Sequence, residues 1–262
     1  MASRGRPRKF QMENTKPAIS NVELVEMKNI DFDASLFTPH KTNTIIDGLL
    51  SSEGGIFPGT NMIVAGDPGV GKSTLLLDWI SNFQKNGKKV LFVSGEMNEI
   101  DMFGYTKRYP KFGNLPILFT HKYSDNVRQA LEHSFDEGYD VILIDSWAEI
   151  NDLVQEENNW TRRKSESWLL DLMDNHNKAF NQAKKHTAFM CIQQMTKSGD
   201  FSGSNRIKHM TTSMAYVKFD GRGRDASRYV VFDKNRRGEV GQRMFFSLWR
   251  PEQVEYTYDT EG

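Results

Sequence analysis

The sequence predicts an α/β fold: a mostly parallel sheet with helices on both faces and an antiparallel extension at one edge. Three observations predict it. Continuous apolar runs of four to six residues recur through the middle of the chain, the length of a buried strand and too short for a helix. Longer segments with apolar residues at helical spacing lie between them. Toward the end, strand-like runs follow one another without such segments.

The elements follow in order. Residues 1–19 are rich in Arg, Lys and Pro without apolar periodicity and read as a basic tail. Apolar residues over 22–50 are irregularly spaced, a lead-in packed on the core. Gly54-Gly55-Ile56-Phe57-Pro58-Gly59 is a turn cluster. Residues 61–65 form the first strand. Over 73–83, Leu75, Leu76, Trp79, Ile80 and Phe83 share one helical stripe. Strands are expected at 89–94 and 117–120, a helix at 125–135 and a buried strand at 140–145. A long helix covers 162–185, and a strand 186–193. The late β segments are 214–219, 229–232 and 244–249. One domain is therefore expected over 20–250, followed by an acidic tail at 251–262 that competes with DNA for basic loops or is merely solvated.

The bulk composition excludes several classes. The 262 residues suffice for one full-sized α/β core and not for two large ones. Net charge is zero, so nucleic-acid binding must use local patches rather than a global field. Cys191 is the single cysteine, which rules out an internal disulfide and a Cys₄ zinc site and fits a reducing cytoplasm. The sequence offers no apolar run of membrane-spanning length and no secretory signal.

Chemistry enters with Gly66-Asp67-Pro68-Gly69-Val70-Gly71-Lys72-Ser73, which satisfies G-x-x-x-x-G-K-[ST] between an apolar strand and a helix. Glycines let successive N–H groups turn inward on phosphate oxygens, and the helix adds its positive end. This is a P-loop for ATP, bound by residues 66–73 with Thr74. Lys72 reaches the β- and γ-phosphates, and the Ser73 hydroxyl ligates Mg²⁺. Asp145 closes the apolar run 141–144 at the place of a carboxylate that holds Mg²⁺ through water. Glu96, just past the strand 89–94, is placed to orient and deprotonate the attacking water. Both acids stand at carboxyl ends of strands, where open α/β sheets bind ligands.

On these motifs the chain resembles the RadA/Sms branch of RecA-like ATPases, recombination and branch-migration helicases, from about residue 45 to 247. Gly55-Ile56-Phe57-Pro58-Gly59 precedes the P-loop at the family's spacing, and the P-loop continues as Thr74-Leu75-Leu76. Val93-Ser94-Gly95-Glu96 is similar to the catalytic-glutamate strand. Gln194-Met195-Thr196-Lys197-Ser198-Gly199 resembles the sensor strand entering a DNA-facing loop. Lys234-Asn235-Arg236-Arg237-Gly238 resembles the family's K-N-R-F-G motif. The chain departs from that branch in lacking the zinc module and the Lon-like domain. Gln194 stands where the branch has His, and Arg237 where it has an aromatic.

The resemblance implies a RecA-like core that hydrolyses ATP on single-stranded DNA as a ring or filament. It implies that Gln194 senses the γ-phosphate, and that Lys234 and Arg236 reach a neighbour's nucleotide; otherwise these two are a charged hairpin end. The loop 197–208, with Lys197, Phe201, Arg206 and Lys208, reads as a surface loop on composition alone and as a DNA contact once the resemblance is admitted. Arg162-Arg163-Lys164, cations at a helix start, point to an external anion or to a solvated run. Arg4, Arg6 and Arg8 in Arg4-Gly5-Arg6-Pro7-Arg8-Lys9 resemble a minor-groove AT-hook, or serve any polyanion. The alternatives are a DnaB-type replicative helicase core and a KaiC-like regulatory ATPase.

Overall fold

In the computed structural model the chain divides into residues 1–33 and residues 34–262. The residues described are 24–30, 34–177, 185–195, 205–221, 226–250 and 252–259. In the first unit Met27–Asn29 make one 3₁₀ turn, and Lys28 pairs with Glu26 at 2.8 Å.

The second unit is built on a nine-stranded sheet. Its strands are β1 (Asn61–Gly66), β2 (Val90–Ser94), β3 (Ile117–Phe119), β4 (Val141–Asp145), β5 (Ala188–Gln194), β6 (Ser213–Asp220), β7 (Ser227–Asn235), β8 (Arg243–Ser247) and β9 (Glu255–Tyr258), in spatial order β3-β2-β4-β5-β1-β6-β7-β8-β9. Pairing is parallel from β3 to β6 and antiparallel from β6 to β9. The expected parallel sheet with an antiparallel edge is therefore observed. All residues of β1, β2 and β4 are buried, as strands covered on both faces must be.

The helices are α1 (Ile46–Leu50), α2 (Lys72–Lys85), α3 (Glu99–Arg108), α4 (Val127–Asp136), α5 (Trp147–Asn158), α6 (Arg162–His176) and α7 (Asn205–Met210). Side chains alternate across each strand, so β1 sends Met62 and Val64 to one face, and Ile63 and Ala65 to the other. The first pair packs with Leu75, Leu76, Trp79 and Phe83 of α2. The second packs with Leu131 of α4, Ile150 of α5 and Leu169 of α6. Helices α2, α4, α5 and α6 each bury the apolar stripe that their spacing creates.

Several expectations need correction. The long helix read over 162–185 ends at His176. Its C-cap Asn177 turns its amide onto the next strand, donating to Thr187 O at 3.0 Å and accepting from Thr187 N at 3.0 Å. Residues 205–208, read as loop, belong to α7, whose Ile207 is fully buried. Helices α3 and α5 were not anticipated. The largest correction is at the C-terminus: residues 255–258, read as part of an acidic tail, form β9.

That last strand is fastened to α2. Asp78 is 1% exposed, and its carboxylate accepts from Tyr256 Oη at 2.6 Å, from Asn82 Nδ2 at 3.0 Å and from the Lys111 ammonium. Tyr258 Oη donates to Ile45 O at 2.8 Å. The Tyr256→Phe variant leaves a buried carboxylate short of one donor, which costs about 2 kcal/mol. Urea denaturation is expected to show that loss with an unchanged m value; a loss under about 0.5 kcal/mol would show that β9 is only laid against the core.

Candidate active site

The carboxyl ends of four adjacent parallel strands converge on one cavity of about 470 Å³. Register aligns Ser94 of β2 with Asp145 of β4, and Gly66 of β1 with Gln194 of β5. From β1 the chain enters the loop 66–71. Gly69 and Gly71 take φ of +75° and +100°, backbone that side chains disfavour. A Cβ on Gly71 would also lie 2.7 Å from Leu248 Cδ1, the end of a side chain that would have to move. Helix α2 starts at Lys72 with no side-chain cap on its first N–H groups. Those donors, together with the helix dipole, make a site for an anion.

Lys72 is 8% exposed and donates to Gly66 O at 2.8 Å and Asp67 O at 2.9 Å, which holds its ammonium over the loop. Burial lowers its pKa, against the opposing pull of Asp145, Glu96 and Asp67. Asp145 is 2% exposed. Burial raises its carboxyl to about 6, and Glu96 adds to the rise; a hydrogen bond from Ser73 and the charge of Lys72 pull the other way. The Ser73 hydroxyl and the Asp145 carboxylate thus already meet as a pair of oxygen ligands suits Mg²⁺. Backbone bonds tie the two strand ends, Gly95 N donating to Asp145 O at 2.7 Å. The Asp145–Ser146 peptide bond is cis. Glu96 is exposed to the cavity, and its Oε1 accepts from Gln194 Nε2 at 3.1 Å. Loop amides, ammonium, hydroxyl and two carboxylates fit a triphosphate with its divalent metal.

The opposite wall was not foreseen. Tyr105 and Arg108 of α3, Arg228 of β7, Leu248 and Trp249 all line the cavity. Tyr105 hydrogen-bonds with Thr74 and Ser73, and its phenol is raised chiefly by burial. The Arg108 guanidinium donates to Leu248 O. None of these residues belongs to a recognisable motif, and only sheet order brings β7 and β8 beside the P-loop.

The other expected site residues stand elsewhere. Lys234 and Arg236 sit at the far end of β7. Lys234 pairs with Met214 beside a β-bulge, and Met214 with Ile63, so Lys234 stands three residues, or about 10 Å, from the level of Gly66, toward the amino ends of the parallel strands. Lys234 Nζ donates to Lys208 O and Thr211 O, each at 2.6 Å, at the end of α7. Arg236 is exposed, and its N–H donates to Thr212 O at 3.2 Å. Arg206 is held on α6 by Ser167 Oγ at 2.5 Å and Asp171 Oδ1 at 2.8 Å. Lys208 is exposed on α7. At the start of α6, Lys164 Nζ lies 4.1 Å from the centre of the Trp160 ring, and the Arg128 guanidinium carbon lies 4.8 Å from it. Lys197, Phe201, Arg4, Arg6 and Arg8 lie outside the described residues.

Known proteins resemble the chain in sequence and in fold. The chain is 30% identical over 223 residues to the DNA repair protein RadA of Campylobacter jejuni, covering 83% of this chain and 46% of that protein. It is 29% identical over 195 residues to the DNA repair protein RadA of Aquifex aeolicus, covering 74% and 41%. The chain thus spans less than half the length of these relatives. Among solved structures, a KaiC-like protein from Pyrococcus horikoshii superposes with a TM-score of 0.66 at 17% identity, over 84% of this chain and 99% of that one. The flagellar accessory protein FlaH of Methanocaldococcus jannaschii gives 0.58 at 16% identity, over 84% and 99%. These two likenesses are of fold. Residues 62–207, more than half of the chain, match the model of the AAA family. With its P-loop, its acids and a core similar to RadA, the chain belongs to the ATPase family associated with various cellular activities (AAA).

Proposed function

We propose that the chain hydrolyses ATP in response to single-stranded DNA, working as a ring or filament in DNA recombination or repair. The observation that carries the ATPase reading is the convergence of Lys72, Ser73, Glu96, Asp145 and Gln194 on one cavity at the strand ends. Bound Mg²⁺ supplies charge neutralisation at the phosphate oxygens. The chain's own groups do the rest. Lys72 and the α2 amides hold the phosphates, Ser73 and Asp145 present metal ligands, and Glu96 takes the proton of the attacking water. Gln194 bonds Glu96 from the strand that leads toward the proposed DNA loop, so a γ-phosphate that draws the amide away also frees the base.

Two features support the wider reading. Lys234 and Arg236 lie too far along β7 to serve the P-loop of the same chain, and the resemblance implies a neighbour's nucleotide as their target. The start of α6 gathers Arg162, Arg163 and Lys164, cations that suit the phosphates of a single strand, while the nearby Trp160 ring is half-buried and already covered by Lys164 and Arg128. The relatives in sequence are named as DNA repair proteins.

The test is phosphate release with and without single-stranded DNA. Turnover is expected to rise severalfold with DNA, and Lys72→Ala and Arg236→Ala are each expected to abolish that rise. Mixing the two inactive variants restores part of it, because an intact Lys72 then meets an intact Arg236 across an interface. Turnover indifferent to DNA would instead favour a regulatory ATPase, and mixtures as dead as their components would remove the shared site.

A further inference from the structure

The cavity has a volume of about 470 Å³ and is lined by more than the residues that would hold a triphosphate. Its acidic end, with Glu96, Asp145 and Gln194, takes the metal and the terminal phosphate. The rest of the ligand must leave toward the other wall, past Gly71 and beneath the segment that follows β8. Two groups on that wall stand out among the described residues. Arg228, on β7, has its Nε buried without a hydrogen-bond partner, and its Cδ lies 3.9 Å from the point where a Cβ on Gly71 would stand. A buried guanidinium nitrogen is costly unless an acceptor completes it, and its neighbour here is the phosphate loop. The Phe219 ring lies 5.3 Å from the Arg228 guanidinium carbon and offers no lone pair.

Trp249 is the second group. Its side chain is 69% exposed although it lines the cavity. The backbone around it is fixed. Leu248 is 8% exposed, and its carbonyl accepts from Arg108 and from Tyr109 Oη at 3.5 Å. Trp249 N donates to Ser247 Oγ at 3.3 Å, and Glu252 N to Arg108 O at 2.8 Å. A large aromatic ring is thus held at the mouth of a phosphate site, open to solvent, on a rigid anchor. Arg108 is spent on that anchor, whereas Arg228, among the described residues of this wall, keeps a buried Nε with no hydrogen-bond partner.

We propose that this wall is the nucleoside end of the site, with Trp249 stacking on the base and Arg228 pairing the phosphate nearest the ribose. The proposal rests on the ATP-binding reading and adds to it the residues that tell a nucleotide from a bare polyphosphate. Every base has a face to stack, so the ring provides affinity for a nucleoside and little choice between purines.

Calorimetric titration with Mg-ATP and with Mg-tripolyphosphate separates the parts. The unaltered chain is expected to prefer ATP by about ten- to a hundredfold, the range of one base–aromatic stack. In Trp249→Ala that preference collapses while tripolyphosphate affinity stays put, which also shows that the variant is folded. Trp249→Phe keeps most of the preference. Arg228→Gln weakens both ligands about equally, by roughly tenfold, because both carry a phosphate at its position. An undiminished preference in Trp249→Ala overturns the stacking role, and unchanged affinities in Arg228→Gln overturn the phosphate role. If the unaltered chain binds neither ligand, the ATP reading itself falls and takes the proposal with it.

Discussion

Glu96→Gln is expected to slow ATP turnover about 10²- to 10⁴-fold, the contribution of a positioned general base, while nucleotide affinity changes no more than a few-fold. The split follows from where Glu96 stands. Its backbone is set by β2 and by the bond from Gly95 N to Asp145 O, neither of which the substitution touches. Its side chain accepts one hydrogen bond, from Gln194 Nε2, and the carbonyl of a glutamine accepts the same bond. The groups expected to hold phosphate and metal are Lys72, Ser73, Asp145 and the α2 amides, and all remain. What disappears is a basic oxygen at the cavity mouth. Phosphate release at saturating ATP, paired with a binding titration, gives both halves. Turnover within threefold of the unaltered chain would mean that another group accepts the proton. A parallel collapse of affinity would mean that Glu96 holds the nucleotide instead.

The nucleotide end of the site was legible because its chemistry is contiguous. Eight successive residues carry the glycines, the lysine and the serine, and the strand and helix around them are fixed by apolar pattern. Asp145 and Glu96 were legible for a related reason: parallel strands buried on both faces read as unbroken apolar runs, so the first carboxylate past each run is conspicuous. Arg228 and Trp249 could not be found that way. They reach the cavity only because β6 lies beside β1 and the antiparallel strands extend from it, and sheet order is not written in local spacing.

The missed elements have physical reasons of their own. Helix α3 has no fully buried residue and leaves Ile100 and Phe103 exposed, so its inward side is marked only by the half-buried Met102 and Tyr105. Its signal was a capping box, with Asn98 Oδ1 accepting from Ile100 N and Asp101 N while Asp101 answers at Asn98 N. Helix α5 did carry a stripe, Trp147, Ile150 and Val154, behind a Ser146 cap. In β9 the charges at 252, 255 and 259 masked an alternation of Val254, Tyr256 and Tyr258, the first buried and the other two bonded to α2 and α1. Charge on the outward face of an edge strand is how such strands avoid pairing with strangers, so an acidic stretch is weak evidence for a tail.

The second large effect concerns Asp145, where function and stability oppose one another. Burial, with Glu96 adding to it, raises this carboxyl from 3.8 in a free chain to about 6 in the folded one. Between these values the folded state keeps a proton that the unfolded state has released. Stability therefore falls as pH rises through that window, and above it the full cost of the ionised, buried group is present, about 3 kcal/mol for a shift of this size. Asp145→Asn removes the charge, and its side-chain carbonyl still accepts from Ser73. Without metal, the variant is expected to melt several degrees above the unaltered chain at pH 7.5, and the advantage is expected to vanish near pH 4, where the aspartate is protonated in the folded state. Magnesium with ATP should reverse the order, because linkage stabilises only the chain that can bind the metal through an anion. Thermal unfolding at two pH values, with and without Mg-ATP, reads all of this. A metal-free variant that melts lower than the unaltered chain at pH 7.5 would show that Asp145 is paid for by its contacts with Ser73 and Lys72 rather than kept at a cost for the metal.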